Sequence, residues 1–410
     1  MFKKGFSFIA ILLAFSCTKK DVFETFSTDI IVPQAKCIDG FAGEFPCNDY
    51  DLMSQIPLNS FFGEGTTGND SWGWVDALTG KEYAIMGTNR GTGFVDISDP
   101  LNPILMGTLA TATTESAWRD IKVYRNFAYI VSEAPGHGMQ IFELERLRDI
   151  TNPPVELSDD GIYNRFGNAH NIIVNEDSGF GYAVGTNTFS GGPHFMDLSN
   201  AARPLAVGGY AGNEYTHDAQ VITYSGPDTD YTGKEILIAS NGERFGNNEV
   251  VILDVTNKDN PQLISTIKYS NQGYTHQGWF TEDQRFFILG DELDEIDFGG
   301  NSRTIIFDFS DLDNPILHFE YLGSTTAIDH NGYVKDNLFY LANYSAGVRM
   351  IDISNIENKS ITEVGFFDTY PESDAASSNG VWSVYPYLPS GNIIVSDINR
   401  GLFIIRKTGT

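Results

Sequence analysis

The chain has 410 residues, of which 54 are Asp or Glu and 26 are Lys or Arg, giving a formal net charge of −28. This acidic excess excludes nucleic acid and an anionic membrane surface as binding partners, because both are bound through basic patches. Tyr and Phe are plentiful, at 19 and 29 residues, and no long stretch shows a helical period, so the composition favours β structure.

The N-terminus has the pattern of an export signal. Two lysines precede an apolar run from Phe6 to Phe15, which is too short to span a bilayer. The Ala-Phe-Ser-Cys sequence that ends at Cys17 resembles the lipobox of bacterial lipoproteins, in which the cysteine is acylated after cleavage. We therefore expect a signal peptide over 1–16, lipidation of Cys17 and a tether over 17–35. The alternative is an ordinary cleaved signal with an incidental cysteine.

These features predict an extracytoplasmic lipoprotein, held on a membrane through its lipid and facing the periplasm or the cell surface. The remaining two cysteines, Cys37 and Cys47, flank a short Gly-containing loop. In an exported chain such a pair most simply forms a disulfide. Two thiolates without nearby partners would make an incomplete metal site.

A strand followed by an acidic turn recurs seven times along the rest of the chain. Two copies are degenerate, and the best copies are Phe94–Pro103, Phe195–Asn200, Leu253–Pro261, Phe307–Pro315 and Ile351–Asn355. The acid at the end of each strand is expected to cap the turn that follows. A β-rich repeat of about 50 residues is typical of a closed ring, because one repeat cannot bury its apolar face alone.

The sequence therefore predicts an all-β, seven-bladed β-propeller over residues 36–410, entered through the disulfide loop. The predicted blades span residues 72–109, 116–160, 168–210, 216–269, 275–322, 329–367 and 381–406. The last repeat lacks an outer strand, whereas residues 51–58 resemble the outer strand of the first. We expect residues 51–58 to complete blade 7 and close the ring, which removes exposed strand edges.

The first strands of the repeats carry a second periodic feature. Four consecutive repeats place a histidine at one equivalent position, namely His170, His217, His276 and His330, and the other three place Trp74, Trp118 and Trp382 there or one residue away. Inner strands line the channel of a propeller, so these side chains are expected to meet at one mouth. Polar residues near the strand ends are expected to line the same pocket. They are Arg119, Asp120, Glu133, Asp218, Gln277, Asp291, Glu292, Asp329 and Asp397.

The opposite face is expected to carry turn residues only, and His137 is expected in an exposed loop. Three explanations of the histidines remain open. They could hold a transition metal (Zn, Cu, Mn or Fe) with a nearby carboxylate, since imidazole suits these metals. They could form a metal-free polar pocket for a small molecule or sugar. They could also be structural, with a hydrogen-bonding role in each blade.

Several longer segments resemble the choice-of-anchor B family. They are Ser-Trp-Gly-Trp, Ser-Ala-Trp-Arg-Asp-Ile-Lys-Val, Gly-Asn-Ala-His-Asn, Tyr-Thr-His-Asp-Ala-Gln, Tyr-Thr-His-Gln-Gly-Trp and Gly-Asp-Glu-Leu-Asp-Glu, within a match from about Cys37 to Arg406. Members carry LVIVD-type repeats, which read Phe-Val-Asp-Ile here, and join one extracellular domain to different surface anchors. The resemblance implies an anchored propeller outside the cytoplasm and no particular reaction or ligand.

Two functions follow as hypotheses. The first is a binding or interaction module for a protein, a glycan or a small molecule at the histidine-bearing face. The second is a metal-dependent hydrolase or oxidoreductase that uses the histidine cluster. Hydrolase elbows, phosphate loops and dinucleotide fingerprints are absent from the sequence.

Overall fold

The computed structural model describes residues 34–244 and 246–410 and shows a seven-bladed β-propeller. The predicted all-β class and blade number are confirmed. The signal peptide, Cys17 and nearly all of the tether lie outside the described residues. Within the described part, no helix is long and apolar enough to cross a membrane.

The strands follow one another with short turns between them. The first eleven are β1 (Phe41–Ala42), β2 (Phe45–Asn48), β3 (Tyr50–Ile56), β4 (Gly68–Val75), β5 (Glu82–Thr88), β6 (Gly91–Asp96), β7 (Ile104–Ala110), β8 (Arg119–Tyr124), β9 (Phe127–Ser132), β10 (Met139–Glu143) and β11 (Val155–Leu157). The next nine are β12 (Gly161–Tyr163), β13 (Asn171–Asn175), β14 (Phe180–Val184), β15 (His194–Asp197), β16 (Leu205–Gly209), β17 (Asp218–Thr223), β18 (Glu235–Asn241), β19 (Glu249–Asp254) and β20 (Gln262–Ile267).

The last eleven strands are β21 (Thr275–Phe280), β22 (Phe286–Asp291), β23 (Arg303–Asp308), β24 (Ile316–Leu322), β25 (Gly332–Lys335), β26 (Leu338–Ala342), β27 (Val348–Asp352), β28 (Thr362–Phe367), β29 (Val381–Tyr385), β30 (Asn392–Asp397) and β31 (Gly401–Lys407). Helices are short: α1 (Asn59–Phe62), α2 (Asp294–Phe298) and the 3-10 helices Leu144–Asp149, Phe189–Gly191, Thr229–Tyr231 and Ile356–Asn358.

Blades 3, 4 and 5 are antiparallel sheets of four strands taken in sequence order, whereas blade 2 departs from the prediction in two ways. Blade 2 is completed by β12, beyond the predicted limit at residue 160, while β11 pairs in parallel with β7 of blade 1. The turn after β10 is the 3-10 helix Leu144–Asp149 instead of the short acidic turn of other blades. This longer excursion carries the chain to the neighbouring blade before it returns.

The repeated acid at the end of each third strand holds the turn that follows it. The carboxylates of Asp96, Asp197, Asp254, Asp308 and Asp352 each accept a hydrogen bond from the backbone N–H two residues later, at 2.7 to 3.0 Å. Such local bonding stabilises a reversal of the chain. The acid is therefore structural.

The ring is closed by its N-terminal strand, as predicted. Strand β3 pairs antiparallel with β31 and becomes the outer strand of blade 7. Ahead of it, β2 pairs with β28 and extends blade 6, and β1 pairs with β2. The predicted disulfide between Cys37 and Cys47 is present and links this extension internally. The apolar core lies between adjacent blades, which pack face to face.

Candidate functional site

The inner strands β4, β8, β13, β17, β21, β25 and β29 build the central channel in layers. One mouth is formed by Asn69, Arg119, His170, His217, His276, His330 and Trp382. The next residue of each strand is polar, in Asp70, Asp120, Asn171, Asp218, Gln277, Asn331 and Ser383. Three residues beyond the mouth stand Trp72, Lys122, Ile173, Gln220, Trp279, Tyr333 and Tyr385. Alternation along a strand sends the second and third sets toward the channel.

The four predicted histidines form a continuous arc at the first mouth. Neighbouring ring centroids are 4.1 Å apart for His170 and His217, 4.3 Å for His217 and His276, and 4.2 Å for His276 and His330. Trp382 extends the arc, with its ring 4.9 Å from that of His330. We call these five residues, with Glu133, Glu292, Tyr215, Tyr274 and Tyr344 around them, the histidine mouth.

Backbone contacts between blades fix the orientation of the imidazoles. His217 Nδ1 lies 3.1 Å from the carbonyl oxygen of His276, and His330 Nδ1 lies 2.6 Å from that of Trp382. A carbonyl can only accept, so each Nδ1 carries the proton and each Nε2 keeps its lone pair. β-bulges at His276 and Trp382 interrupt the strand pairing there, and bulges re-aim side chains.

Glu292 stands over the middle of the arc. One of its carboxylate oxygens, Oε2, is 3.8 Å from His276 Nε2, and the other, Oε1, is 4.0 Å from His330 Nε2. The Tyr344 hydroxyl donates a hydrogen bond of 2.8 Å to Oε1 and so holds the carboxylate in place. At the end of the arc, His170 Nδ1 lies 2.6 Å from Glu133 Oε1.

Burial favours the neutral form of three imidazoles of the arc, those of His217, His276 and His330. It lowers the pKa of His330 to about 3 and, together with the neighbouring imidazoles, lowers the pKa of His217 and of His276 well below the usual histidine range. Burial also raises the pKa of Glu292, which the hydrogen bond from Tyr344 opposes. Neutral imidazoles beside a carboxylate are the protonation states that metal ligation requires.

Three of these ligand atoms have the spacing of a metal site. One atom each from His276, His330 and Glu292 lies within 4.8 Å of the other two. Ligands at about 2.1 Å from a tetrahedral ion stand about 3.4 Å apart, so separations of up to 4.8 Å would have to shorten by up to about 1.4 Å when an ion binds. Among the residues described, His170 and His217 do not join this group, so the four histidines form an arc and do not converge on one point.

Three carboxylates of the predicted pocket, those of Asp291, Asp329 and Asp397, turn away from the mouth. They accept hydrogen bonds from other residues of the protein instead. Asp291 accepts from the Tyr269 hydroxyl and from backbone N–H groups that include Gly273 and Tyr274. Asp329 accepts from Ser302, Thr304 and Asn343, and Asp397 accepts from Thr369 and two backbone N–H groups. All three are fully buried. Their role is to fix loops, which corrects the expectation that they line the pocket.

The predicted alignment of blades 1 and 2 also needs correction. Trp74 is 3% exposed and packs on Tyr83 in the core between blades, while Trp118 is 46% exposed and lies one residue before the mouth position of blade 2. The position next to His170 is taken instead by the buried Arg119. The alignment of these two inner strands follows from their pairing with the neighbouring strands. The positions of the two tryptophans in the sequence did not indicate it.

His137 is buried, against the expectation of an exposed loop residue. Its Nε2 lies 3.0 Å from Nη1 of Arg119 and its Nδ1 lies 3.0 Å from the Gly138 carbonyl oxygen. Burial and the Arg119 charge lower the pKa of His137 to about 4. A neutral His137 can accept a hydrogen bond from the guanidinium, whose pKa burial lowers to about 10.

The remaining predicted residues, Asp120, Asp218 and Gln277, lie one layer deeper in the channel. Asp120 accepts a hydrogen bond of 2.6 Å from Lys122 and another from the backbone N–H of Ile172 in blade 3. Gln277 exchanges two hydrogen bonds with the backbone of Gly332 in blade 6. These polar contacts join adjacent blades around the axis.

Below this layer the channel opens into a cavity that the sequence reasoning missed. Its volume is about 450 Å³, and its lining includes Trp72, Trp279, Tyr333, Tyr385 and Tyr387 on one side and Val123, Ile173, Val174 and Ala219 on the other, with Lys122, Asp218, Gln277, Glu176 and Glu282. We call it the aromatic cavity. It corrects the expectation that the face opposite the histidines carries turn residues only.

The tyrosines of the histidine mouth were also missed. Tyr215 and Tyr274 each precede a histidine by two residues, and the ring of Tyr274 lies 5.1 Å from that of His217. The Tyr-Thr-His triplet shared by blades 4 and 5 was a usable signal for both. Tyr344 follows β26 and has no repeated context in the sequence that would mark it.

Comparison with known proteins supports the fold and the repeat. The model of the LVIVD repeat matches residues 82–111 in blade 1 and residues 245–268 in blade 4. No curated protein matches the chain significantly in sequence. Among solved structures, hydrazine synthase from Kuenenia stuttgartiensis is similar, with a TM-score of 0.56 and 10% identity over 80% of this chain and 93% of that chain. At this identity the similarity shows the fold alone, and the chain is a β-propeller that carries LVIVD repeats.

Proposed function

We propose that this protein is a lipid-anchored, extracytoplasmic binding module that holds one divalent transition metal at its histidine mouth. The observation that carries the proposal is the His276, His330 and Glu292 group, whose three ligand atoms lie within 4.8 Å of one another. Imidazole and carboxylate together suit Zn, Fe, Mn or Cu. The ion would present an open position to a protein, glycan or small molecule at the channel face.

The environment of the three ligands supports the same proposal. The Tyr344 hydroxyl orients Glu292, and the carbonyl opposite His330 Nδ1 leaves its Nε2 free to ligate. Outer partners of this kind fix ligand orientation in metal sites. A metal ion at this point would also account for the position of the Glu292 carboxylate beside the buried rings of His276 and His330.

Elemental analysis of the full chain, purified without a polyhistidine tag, tests the metal. We expect about one ion per chain in the wild type and a substoichiometric amount in the Glu292→Gln and His276→Ala variants. The matched control is His318→Gln, because His318 lies on the outer strand β24, with Nε2 near the Ile356 carbonyl oxygen, and should not affect loading. The proposal fails if no ion binds after incubation with Zn, Cu, Mn and Fe(II), or if both mouth variants load fully.

The anchor is a separate part of the proposal and rests on the Ala-Phe-Ser-Cys sequence at Cys17. A Cys17→Ser variant lacks the thiol that would be acylated, so we expect it in the soluble extracytoplasmic fraction while the wild type sediments with membranes. Membrane fractionation with immunodetection measures this. Equal membrane association of both chains would rule out lipidation at Cys17.

A second candidate function is a metal-dependent hydrolase or oxidoreductase. It is favoured by the number of protein ligands, since three ligands and an open position are typical of catalytic sites, whereas structural sites use four. The hydroxyls of Tyr215, Tyr274 and Tyr344 surround the same mouth. Turnover of an ester panel or consumption of O₂ by the metal-loaded wild type, but not by Glu292→Gln, would favour this candidate over a binding module.

A further inference from the structure

The aromatic cavity has the dimensions and the lining of a small-molecule site. Its volume of about 450 Å³ lies within the range of ligand pockets, and it combines an aromatic wall with a few polar groups. It lies beyond the polar layer of the channel. Its aromatic lining residues stand three or more positions along the inner strands from the histidine mouth, whereas Asp218 and Gln277 directly follow His217 and His276. None of the three proposed metal ligands lines it.

The aromatic wall is built from four blades. The Trp72 ring lies 4.9 Å from that of Tyr385, and the Trp279 ring lies 4.9 Å from that of Tyr333, both edge to face. Gly73 permits this arrangement, because a Cβ at that position would come within 2.2 Å of the Tyr385 ring. Edge-to-face packing sets the edge of one ring against the face of the other and is a preferred arrangement of aromatic pairs.

One ring face of this wall already carries a cation. The ammonium of Lys122 lies 4.6 Å from the centre of the Trp72 ring. Lys122 is compensated by Asp120 at 2.6 Å and Asp70 at 3.8 Å. Its single positive charge is therefore shared between these two carboxylates and Asp218, whose pKa it also lowers.

Three further carboxylates line the cavity without a cationic partner. Within the described ranges, Asp218, Glu176 and Glu282 form no ion pair within 4 Å, and Asp218 accepts a hydrogen bond only from its neighbour, the backbone N–H of Ala219. Burial raises the pKa of Asp218 to about 7, and the positive charge of Lys122 opposes this shift only in part. The cavity thus has an excess of negative charge at its base and its rim.

We propose that the aromatic cavity binds a small organic cation, a molecule that carries a quaternary or protonated ammonium group. Asp218 supplies the counter-charge, and the rings of Trp72 and Trp279 supply cation–π contacts. An anionic ligand would be repelled by Glu176 and Glu282. A neutral sugar could stack on the wall but would leave the charge of Asp218 without compensation.

Calorimetric titration of the full chain with choline tests this, and 3,3-dimethylbutan-1-ol serves as its uncharged carbon analogue. We expect choline to bind and the neutral analogue to bind at least about tenfold more weakly. Asp218→Asn keeps the shape of the side chain and should weaken choline binding by about tenfold or more. Glu156→Gln removes one exposed carboxylate far from the cavity, on β11, and should leave affinity unchanged.

The proposal is overturned if choline does not bind at millimolar concentration, if the neutral analogue or glucose binds as well as choline, or if Asp218→Asn binds choline normally. Should Asp218→Asn fail to fold, Trp279→Phe provides the second variant, and the proposal then requires it to bind choline several-fold more weakly. His276→Ala must retain choline binding. That result separates this site from the metal at the other mouth, and loss of choline binding in His276→Ala would also overturn the proposal.

Discussion

At the scale of single residues, the chain buries several histidines in neutral form. His194 on β15 is typical, since its Nε2 lies 2.7 Å from the Tyr163 hydroxyl and its Nδ1 lies 3.1 Å from the Thr188 hydroxyl. Burial lowers the pKa of His194 to about 4. A neutral imidazole donates through one nitrogen and accepts through the other, so a hydroxyl at each nitrogen satisfies it, and burial opposes its protonation.

This predicts acid sensitivity with a defined sign. Below about pH 6.5 the unfolded chain protonates His194 while the folded chain does not, so stability falls until the folded pKa near 4 and then levels off. The loss from this residue is about 2 kcal/mol at pH 5. Urea unfolding of the wild type and of His194→Gln at pH 7 and pH 5 measures it. The variant should lose less stability over this interval, and an equal loss in both chains would contradict the assignment.

At the scale of elements, the closing strand β3 controls the integrity of blade 7. All seven of its residues are buried, although it is the outer strand of its sheet, because β1, β2 and the bridge between Ala35 and Leu52 cover it. Strand β31 would present an unpaired edge without it, and such edges promote association.

Removal of this strand should therefore open the ring. A chain that begins at Leu58 is expected to lose more than about 4 kcal/mol and to aggregate, because it gives up the buried side chains and backbone pairing of β3. Thermal unfolding and light scattering measure both effects. A disulfide-closed peptide of residues 34–57 should restore the transition, whereas a scrambled peptide should not. An unchanged melting temperature in the shortened chain would show that blade 7 does not depend on β3.

The same elements show where sequence reasoning succeeds. The blades were predictable because the Asp-capped turn is a local motif, and five of its copies use the same hydrogen bond. The histidine arc was predictable because four inner strands carry the same residue at the same position. Blade 2 departs from the prediction because its turn is replaced by a helix, and the return of the chain then depends on contacts with blade 1.

At the scale of the whole molecule, some features depend on the pairing register between strands, and these could not be predicted from the sequence. The aromatic cavity draws on one layer of the channel, where successive blades contribute Trp72, Lys122, Ile173, Gln220, Trp279, Tyr333 and Tyr385. These residues occupy equivalent positions in the seven blades, but they have no chemical property in common. In blade 1 the position equivalent to the histidines is held by Asn69, and Trp74 lies five residues further along the strand.

The two mouths of the channel therefore differ in chemistry although one set of strands forms both. The histidine mouth gathers neutral ring nitrogens and a carboxylate, while the aromatic cavity gathers ring faces and excess acid. Between them lies a polar layer in which Asn171, Gln277 and Asn331 bond to the following blade. Two ligands of different kinds can therefore be tested separately on one scaffold.

The pairing of β3 with β31 also affects how the protein folds during its synthesis. A polypeptide is made from its N-terminus, so β3 is synthesised before the other strands of all seven blades, and its partner β31 is synthesised after them. Until residues 401–407 exist, blade 7 has no place for β3, and the apolar side chains of Leu52, Met53 and Ile56 have no permanent cover. The nascent chain must keep these residues away from other chains throughout its synthesis. Closure of the ring is then a single long-range docking event, which can occur only after β31 has been synthesised.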